Sequence, residues 1–457
     1  MLIDSHAHLT MPQFDTDRDA VLERAREAGV AYILTVGSEE KEWPLVAELV
    51  RREDDGLYGA VGVHPHNAAS FTEETAHKLA AFSAESRVVA VGETGLDFHY
   101  MHAPVSEQEA AFRRQIGVAR EVGLPLIVHS REAEEETLAI LQAEKADDVG
   151  GVIHCFSGGP EMAREVLSMG FFISFSGSLT FKNAGALRSL AGTIPIEKVL
   201  IETDCPYLAP QPVRGKRNEP AHVRFVAQTL AEVHGLHPAD VGRITSHNAM
   251  QLFGLGEVDS EGKIAYGIRD SLYLNITNRC TNTCGFCVRN NRDFVKGHNL
   301  RLSGEPTAED VIAAIGNPRN YREVVFCGYG EPLLRLDLVR DVAAWIKGRG
   351  GTVRVNTNGQ GNLIHQRNII PELQGLVDAY SVSLNAENEE KYNAICRPLF
   401  GAGTYEAVKT FIHEAAKTAN VSVTVLNLSD VDVEACRRIA RDELHVGFRL
   451  RYHDEVG

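Results

Sequence analysis

The sequence is poor in positive charge, and this limits the partners it can have. It contains 46 basic and 62 acidic residues, which gives a net charge of −16 at pH 7. The shortage excludes broad, salt-driven binding to duplex nucleic acid, because neutralising phosphates requires a basic surface. An enzyme that acts on nucleic acid stays compatible with it, since a local patch and bound metal ions can still hold phosphates.

Long apolar runs and disulfide patterns are also missing. No stretch reaches the roughly 20 consecutive apolar residues of a membrane helix, so we expect no membrane partner. The start, MLIDSHAHL, has neither a basic region nor a sustained apolar core, so we expect no signal peptide. Eight cysteines among 457 residues do not form a disulfide framework. These features predict a cytoplasmic protein with reduced thiols.

Residues 1–255 alternate short apolar runs with longer segments of helical spacing, such as 17–28 and 107–122. The predicted strands are 2–8, 31–37, 58–64, 88–93, 125–130, 151–156, 171–176 and 199–204. Eight strands separated by helices predict a parallel (β/α)8 TIM barrel. Barrels of this kind carry their chemistry at the C-terminal ends of the strands.

Residues 256–269 lack clear periodicity and contain Gly, Asp and Ser, so we interpret them as a linker. The alternation restarts over residues 270–457. The predicted strands there are 271–277, 322–327, 352–357, 379–384, 421–426 and 447–452. Six such units suit an incomplete (β/α)6 barrel. The sequence therefore predicts an α/β protein with two successive domains.

The first set of candidate metal ligands consists of imidazoles and carboxylates. His6 and His8 stand two apart on a predicted strand, so their side chains share a face, and Asp4 has the same parity. Asp4 is a candidate hydrogen-bond partner of a ligand. The ligands at or near predicted strand ends are His6, His8, Glu93, His129, His154 and Asp204. The alternative, unrelated core residues, would leave polar groups on several apolar strands without compensation, which is costly.

Six motifs accompany these residues in order: D-S-H-A-H-L, G-V-H-P-H, G-E-T-G-L-D, V-H-S-R, H-C-F-S-G and E-T-D-C-P-Y. Together they resemble the TatD family of metal-dependent deoxyribonucleases, which belong to the amidohydrolase-like barrels. The resemblance covers residues 1–255. It implies one ion held by His6, His8, Glu93 and Asp204. It also implies a second ion held by His129 and His154, with Glu93 as the bridge.

Two ions suit phosphodiester hydrolysis, because they activate a water and stabilise the attacking and leaving oxygens. Glu93 and Asp204 are the candidate catalytic residues, and Asp204 is a candidate acceptor of the water's proton. The resemblance implies Mg²⁺, while the histidines also suit Mn²⁺ or Zn²⁺. His64, His66 and Arg217 are candidate substrate contacts. Their alternative role is to cap helices or bond backbone groups in loops.

The second set of candidate ligands consists of thiols. Cys280, Cys284 and Cys287 follow the apolar run SLYLNIT with C-x3-C-x2-C spacing. Three thiolates can hold three irons of a [4Fe–4S] cluster and leave the fourth iron open. A structural zinc ion would require a fourth ligand. The candidates for that ligand are His298, Cys327 and His365.

The spacing, with Phe286 before the last cysteine, resembles the radical S-adenosylmethionine superfamily, as do F-C-G-Y-G-E-P, N-T-N-G and S-V-S-L-N over residues 268–457. The resemblance implies that the three cysteines bind a [4Fe–4S] cluster. It implies that S-adenosylmethionine is contacted by Phe286, Gly328, Gly330, Glu331, Asn356, Ser383 and Asn385. It also implies an electron donor such as a flavodoxin or ferredoxin. Tyr329 stands where a glycine is common, which leaves the backbone approach there in question. Segments 395–398 and 449–455 are either substrate-facing or structural.

The leading hypothesis is a bifunctional enzyme, in which a metal-dependent nuclease precedes a radical S-adenosylmethionine domain whose substrate no motif identifies. Two rivals stay open. In one, the first barrel hydrolyses a small ester or amide, or an aminoacyl-RNA. In the other, it is a scaffold that recruits nucleic acid to the second domain.

Overall fold

The computed structural model divides into two compact units, Met1–Val258 and Asp259–Gly457, each with its own hydrophobic core. It describes residues 1–52, 56–257, 261–290 and 293–452. Residues 258–260 of the predicted linker and 453–455 of the predicted terminal segment lie outside the described residues. No helix in the described part of the chain combines the length and apolar character needed to cross a bilayer.

The first unit contains a parallel sheet whose eight strands pair in chain order. The strands are β1 (Leu2–Ala7), β2 (Val30–Gly37), β3 (Leu57–Val61), β4 (Val88–Asp97), β5 (Leu126–Arg131), β6 (Gly151–Ile153), β7 (Phe172–Phe175) and β8 (Val199–Ile201). Each of them overlaps one of the eight strands predicted from the sequence, which confirms the predicted barrel.

The sheet closes through residues that follow β8. A parallel bridge joins Ala7 to Cys205. The Asp204 amide donates to the His6 carbonyl (2.9 Å), and the His8 amide donates to the Cys205 carbonyl (2.8 Å). The last strand is therefore joined to the first beside three of the candidate metal ligands.

Helices cover the outside of this barrel. They are α1 (Arg18–Glu27), α2 (Trp43–Val50), α3 (Glu73–Ser83), α4 (Val105–Val122), α5 (Glu134–Ala143), α6 (Pro160–Ser168), α7 (Gly185–Ala191), α8 (Val223–His234) and α9 (Pro238–Phe253). In α4, Phe112, Ile116 and Ala119 are spaced by four and three residues and are buried. Burying a side chain as large as Phe112 contributes roughly 1.5–3 kcal/mol. The helix ends at Gly123, which takes the left-handed conformation (φ 70°) that glycine adopts without strain.

The second unit contains a sheet of seven strands and a separate pair. The sheet strands are β9 (Ala265–Ile268), β10 (Ser271–Leu274), β13 (Glu323–Phe326), β14 (Val353–Thr357), β15 (Ala379–Ser383), β16 (Asn420–Asn427) and β17 (Gly447–Tyr452), while β11 (Phe294–Val295) and β12 (His298–Asn299) form the pair. The order across the sheet is β17-β16-β15-β14-β13-β10-β9. Its six strands from β10 to β17 are parallel. This confirms the predicted partial (β/α)6 barrel.

The structure differs from the sequence prediction at β9, which lies inside the segment interpreted as a linker. This strand pairs antiparallel with β10, and Ser271 stands opposite Ile268. A strand of four residues is too short to show a period, so its pairing depends on the neighbouring strand rather than on a local pattern.

The helices of the second unit are α10 (Ala308–Ile315), α11 (Leu336–Gly348), α12 (Gly361–His365), α13 (Ile370–Leu373), α14 (Glu389–Cys396), α15 (Thr404–Ala415) and α16 (Val433–Arg438). A reciprocal cap starts α10, in which the Thr307 hydroxyl accepts from the Asp310 amide (3.2 Å) and the Asp310 carboxylate accepts from the Thr307 amide (2.8 Å). The loop after β10 carries the three clustered cysteines.

Candidate metal centre and cysteine loop

The imidazole and carboxylate ligands meet at the C-terminal ends of the barrel strands. His6 lies in β1, Glu93 in β4 and His129 in β5, while His154 follows β6 and Asp204 follows β8. The pairing of β1 shifts register between Asp4 and Ala7, and that of β4 shifts between Val91 and Thr94. Such irregularities re-aim side chains beside active sites. They bracket His6 and Glu93, the two ligands nearest the middle of the group.

The Glu93 carboxylate divides the imidazoles into two groups. Its Oε2 lies 3.6 Å from His6 Nε2 and 3.8 Å from His8 Nε2. Its Oε1 lies 2.7 Å from His154 Nε2 and 2.9 Å from His129 Nδ1. Each carboxylate oxygen therefore faces a separate cluster of nitrogen donors, which is the arrangement of a carboxylate between two cations.

Asp204 completes the first cluster. Its Oδ1 lies 3.3 Å from His8 Nε2 and 3.8 Å from His6 Nε2, and the two imidazole nitrogens are 3.2 Å apart. Two imidazole nitrogens and two carboxylate oxygens converge here, and they are donors that suit a borderline divalent cation. The residues present therefore fit a metal ion.

Glu93 and the imidazoles around it shift one another's pKa values. Burial would raise the pKa of Glu93, but His154, His64 and His129 outweigh it and hold this pKa well below its usual range. Burial would lower the pKa of His154, but Glu93 and Glu202 raise it well above its usual range. Burial and the nearby His154 lower the pKa of His6. Cations that enter the centre must therefore displace protons from it.

Two carboxylates that the sequence patterns did not single out lie close to imidazoles of the candidate ligands. Buried Glu202 accepts from the Cys155 amide (2.6 Å), and its Oε1 lies 3.5 Å from His154 Nδ1. Asp97 Oδ2 lies 3.1 Å from His129 Nε2. Carboxylates in such positions orient histidine ligands. Both stand in sequence motifs of the family, E-T-D and G-L-D, so the rule that ligating histidines have carboxylate partners could have found them.

Asp4, predicted as a hydrogen-bond partner of a ligand, contacts the His6 backbone and Thr203 rather than a ligand imidazole. It accepts from the Thr203 amide (2.8 Å) and hydroxyl (2.5 Å) and from the His6 amide (3.4 Å). Burial raises the pKa of Asp4 to about 8. The residue ties β1 to the segment that carries Asp204.

The predicted substrate contacts occupy different surroundings. His64 is close to the centre, with Nε2 3.5 Å from Glu93 Oε1, and could join the second cluster as a ligand. His66 Nε2 lies 3.0 Å from Asp97 Oδ2. The Arg217 guanidinium donates to Asp17 (2.8 and 2.7 Å), so it must exchange this partner before it can reach a phosphate.

Two exposed tyrosines stand beside the centre. Tyr207 is 49% exposed, and its ring meets the His8 ring edge-on, with centroids 6.2 Å apart. Tyr100 is 53% exposed and packs edge-on against His66, with the Arg131 guanidinium 4.7 Å from its centroid. Flat, accessible rings of this kind can stack on nucleobases.

Cys280, Cys284 and Cys287 are half-buried free thiols. Burial raises the pKa of Cys280 to about 11. A hydrogen bond with the Cys396 thiol, together with burial, raises the pKa of Cys284. Among the described residues, no group that includes these cysteines converges tightly enough for a single metal ion.

The residues considered as a fourth zinc ligand make other contacts. His298 Nε2 lies 3.1 Å from the Gly267 carbonyl, and His365 Nε2 lies 2.8 Å from the Leu333 carbonyl. Burial raises the pKa of the Cys327 thiol, against an opposing effect of Asn356.

Glu331 is the best connected of the residues predicted to contact S-adenosylmethionine. Its carboxylate accepts from the Thr357 hydroxyl (2.7 Å), the Asn358 amide (2.7 Å) and the Leu333 amide (3.0 Å). The Asn358 side chain in turn donates to the Thr281 hydroxyl (2.8 Å). A chain of hydrogen bonds therefore leads from Glu331 to the cysteine loop (residues 280–287). Burial raises the pKa of Glu331 to about 7.

The two glycines beside Glu331 are explained by close packing. A Cβ at Gly328 would collide with Asn275, and one at Gly330 would lie 2.6 Å from the Thr277 carbonyl. Tyr329, the departure from the superfamily pattern, is buried, and its hydroxyl donates to Asp293 (2.9 Å). The Tyr329 side chain packs with Tyr266 and Leu300 in a small apolar cluster.

The remaining predicted contacts lie on or after neighbouring strands. Asn356 on β14 accepts from Arg354 (2.5 Å), and Ser383 on β15 lies 3.4 Å from the Thr424 hydroxyl. Asn385 is buried and donates to the Cys396 sulfur (3.9 Å). Phe286 packs against the core of the second unit.

Comparison with known proteins accounts for both units. The family model "TatD related DNase" matches residues 3–254, and the model "Radical SAM superfamily" matches residues 274–440. Both are families of enzymes. The prediction of two enzymatic domains is thereby confirmed.

Several known proteins are similar to the first unit. The metal-dependent hydrolase YabD of Bacillus subtilis is 45% identical over 253 residues, which are 55% of this chain and 99% of YabD. The 3′–5′ ssDNA/RNA exonuclease TatD of Cronobacter sakazakii is 37% identical over 257 residues, 55% of this chain and 97% of that protein. The crystal structure of the Escherichia coli TatD homologue YjjV aligns with a TM-score of 0.53 and 28% identity, over 56% of this chain and 98% of YjjV. The chain belongs to the TatD related DNase family and carries a Radical SAM superfamily domain after its barrel.

Proposed function

We propose that the first unit hydrolyses phosphodiester bonds in single-stranded nucleic acid with two divalent metal ions. The observation that carries the proposal is that the two carboxylate oxygens of Glu93 face different imidazoles. Oε2 lies near His6 and His8. Oε1 lies near His129 and His154. The substrate class is supported by the name of the Cronobacter relative, a ssDNA/RNA exonuclease.

His6, His8 and Asp204 would hold one ion and His129 and His154 the other, with Glu93 shared between them. When bound, such ions stabilise negative charge on phosphate oxygens and provide a nucleophilic water at neutral pH. We propose Mg²⁺ as the physiological ion, with Mn²⁺ or Zn²⁺ as ions that the imidazoles would also accept.

Asp204 would receive the proton of the attacking water. Its side chain is 14% exposed, whereas that of Glu93 is 5% exposed, so Asp204 is the more accessible of the two carboxylates. A carboxylate within hydrogen-bonding reach of the nucleophile contributes as a general base.

Tyr100 and Tyr207 would select for unpaired bases. Stacking on an aromatic ring contributes roughly 1–3 kcal/mol per base and requires a base outside a duplex. The net charge of −16 also disfavours binding to duplex backbones. His66 and Arg217 are the candidates for contacts with the phosphates of the substrate.

The full chain should be tested with Mg²⁺ or Mn²⁺ on end-labelled single-stranded DNA and RNA, with duplex DNA, an aminoacyl-RNA and small esters in parallel. We expect cleavage of the single strands, and loss of that cleavage in Glu93→Gln. Ester or aminoacyl-RNA hydrolysis without strand cleavage would favour the small-ester rival. Strand binding without any hydrolysis would favour the scaffold rival.

For the second unit we propose that Cys280, Cys284 and Cys287 hold a [4Fe–4S] cluster and that Glu331 orients the amine of S-adenosylmethionine. The support is the hydrogen-bonded chain from Glu331 through Asn358 to the cysteine loop. With a donor such as flavodoxin or ferredoxin, the cluster supplies the electron that cleaves S-adenosylmethionine reductively.

Anaerobic reconstitution of the full chain tests this second activity. We expect iron and sulfide uptake and formation of 5′-deoxyadenosine in the parent chain. Cys280→Ala should lose both, whereas Cys436→Ala, at a buried cysteine outside the loop, should keep both. We propose that residues 1–255 and 270–457 carry the two activities in the cytoplasm, joined by residues 256–269.

A further inference from the structure

A second segment of the chain runs along the cysteine loop in the opposite direction. This pairing segment, residues 395–399, begins at the last turn of α14. Four backbone hydrogen bonds join it to the loop. The Thr283 amide donates to the Cys396 and Arg397 carbonyls (3.2 and 3.3 Å), the Gly285 amide to the Ile395 carbonyl (3.1 Å) and the Leu399 amide to the Thr281 carbonyl (2.8 Å).

The pairing places two cysteines next to each other. The residues on either side of Cys284 are bonded to the end of α14, since the Thr283 amide donates to the Cys396 carbonyl and the Gly285 amide to the Ile395 carbonyl. Two residues before Cys284, Asn282 is bridged to Pro398 in antiparallel sense. Cys284 is therefore held against the turn that carries Cys396, and the nearby Cys396 thiol raises the pKa of Cys284.

We propose that Cys284 and Cys396 form a reversible disulfide in the cluster-free protein, and that this bond blocks cluster assembly until it is reduced. A disulfide needs Cβ atoms about 3.5–4.5 Å apart, and neighbouring thiols reach this distance with a small adjustment. The formation of the bond depends only on this pairing. Its effect on assembly rests on the proposed role of Cys284 as a cluster ligand.

The accessibility of the two sulfurs sets the order of the reaction. Cys284 is half-buried and Cys396 is fully buried, so an oxidant from solution reaches Cys284 first. The oxidant is a low-molecular-weight disulfide such as glutathione disulfide. The Cys284 thiolate attacks it, which forms a mixed disulfide and releases one glutathione thiolate.

The Cys396 thiolate then attacks the Cys284 sulfur, which closes the protein disulfide and releases the second glutathione. Two protein thiols are oxidised and one glutathione disulfide is reduced to two thiols. The side-chain amide of Asn385 donates to the Cys396 sulfur (3.9 Å), which positions this thiol for the second step. A dithiol reductant reverses both steps.

The test uses the full chain, stripped of iron by a chelator, reduced, and then treated with glutathione disulfide. Proteolysis without reductant, followed by mass spectrometry, should yield one linked peptide pair that contains Cys284 and Cys396. Cys436→Ala removes a cysteine of equal burial and should keep this pair. Cys396→Ala should give glutathione on Cys284 instead. A bond from Cys284 to Cys280 or Cys287 in the parent chain, or no internal bond, would overturn the proposal.

Iron uptake measures the second half of the proposal. The oxidised parent chain should lose iron uptake during anaerobic reconstitution without reductant and regain it after dithiothreitol treatment. If the linked chain took up iron as readily as the reduced chain, the block would be refuted. If the disulfide formed but the reduced chain never assembled a cluster, the proposed function would fail while the disulfide stood. If a cluster assembled but no Cys284–Cys396 bond ever formed, the reverse would hold.

Discussion

The metal centre of the first unit and the cysteine loop of the second differ in what holds their candidate ligands. In the metal centre, His6, Glu93 and His129 lie on strands of a closed barrel, and His6 and Glu93 are buried. The three cysteines lie on a loop that is half-buried and held by a pairing segment more than a hundred residues away. A bare ion takes its geometry from the protein, whereas a cluster brings its own sulfide framework. The first site therefore needs rigid strands, and the second can use a loop.

The two sites also treat a buried carboxylate differently. Glu93 is surrounded by imidazoles, which hold its pKa well below the usual range against the effect of burial. Glu331 accepts hydrogen bonds from neutral groups, and burial raises its pKa to about 7. The neighbours of Glu93 thus favour its anionic form. A cationic amine beside Glu331 would favour the anionic form of that residue too.

The largest expected effect separates the chemistry of the two sites. Asp204→Asn should lower the rate of strand cleavage by about 10²–10⁴-fold, because it removes the proton acceptor. Iron uptake and 5′-deoxyadenosine formation should not change. Asp15→Asn, at an exposed acid of the same unit, serves as the control. Full cleavage activity in Asp204→Asn would remove Asp204 from this role.

The second-largest effect tests the raised pKa of Glu331, in contrast to that of Glu93, through the pH dependence of the unfolding free energy. The pKa of Glu331 is raised by burial from its ordinary value of 4.5 to about 7, so the folded state binds this proton more tightly than the unfolded state. The resulting stability is present below pH 4.5 and is lost as pH rises through 7. The difference in unfolding free energy between the parent and Glu331→Gln should change by about 3 kcal/mol over this window. Urea unfolding, read by hydrogen exchange on peptides of the second unit, measures it. A constant difference at all pH values would contradict the assignment.

The third effect concerns the support behind the metal ligands. Glu202→Gln keeps the shape of the side chain but removes the charge beside His154 Nδ1. Loss of such a partner weakens metal affinity by roughly 10–100-fold. Calorimetric titration with Mn²⁺ measures the change, with Glu135→Gln, an exposed acid on α5, as the control. Unchanged affinity would mean that the barrel strands alone orient His154.

Sequence patterns were sufficient for the eight strands and for the convergence of imidazoles and carboxylates at their ends, because apolar runs mark each strand and parallel barrels gather their strand ends on one face. They were not sufficient for β9, whose four residues are paired only through β10. A strand of that length is specified by its partner, so it leaves no local pattern.

The supporting contacts were missed for a related reason. Glu202 and Asp97 stand in visible motifs, but their roles depend on which histidine each meets across the barrel. The pairing of Cys284 with Cys396 joins residues far apart in the chain, and no spacing rule links them. Motifs could predict which candidate ligands converge, whereas the contacts that orient them follow from tertiary structure.

The smallest expected effect tests whether side-chain contacts, in addition to the backbone bonds of the pairing segment, hold the cysteine loop in place. The buried Tyr392 hydroxyl accepts from Gln360 Nε2 (3.0 Å) and Asn282 Nδ2 (3.5 Å). Tyr392→Phe removes this acceptor and should lower the unfolding free energy of the second unit by about 1 kcal/mol. It should also speed hydrogen exchange at the amides of residues 281–285. Tyr405→Phe, which removes a hydroxyl bonded to the Ala386 carbonyl (3.1 Å), should cost a similar free energy without affecting those amides. Equal exchange in both variants would mean that the backbone pairing alone fixes the loop, and the contrast with the strand-mounted metal centre would be smaller than we infer.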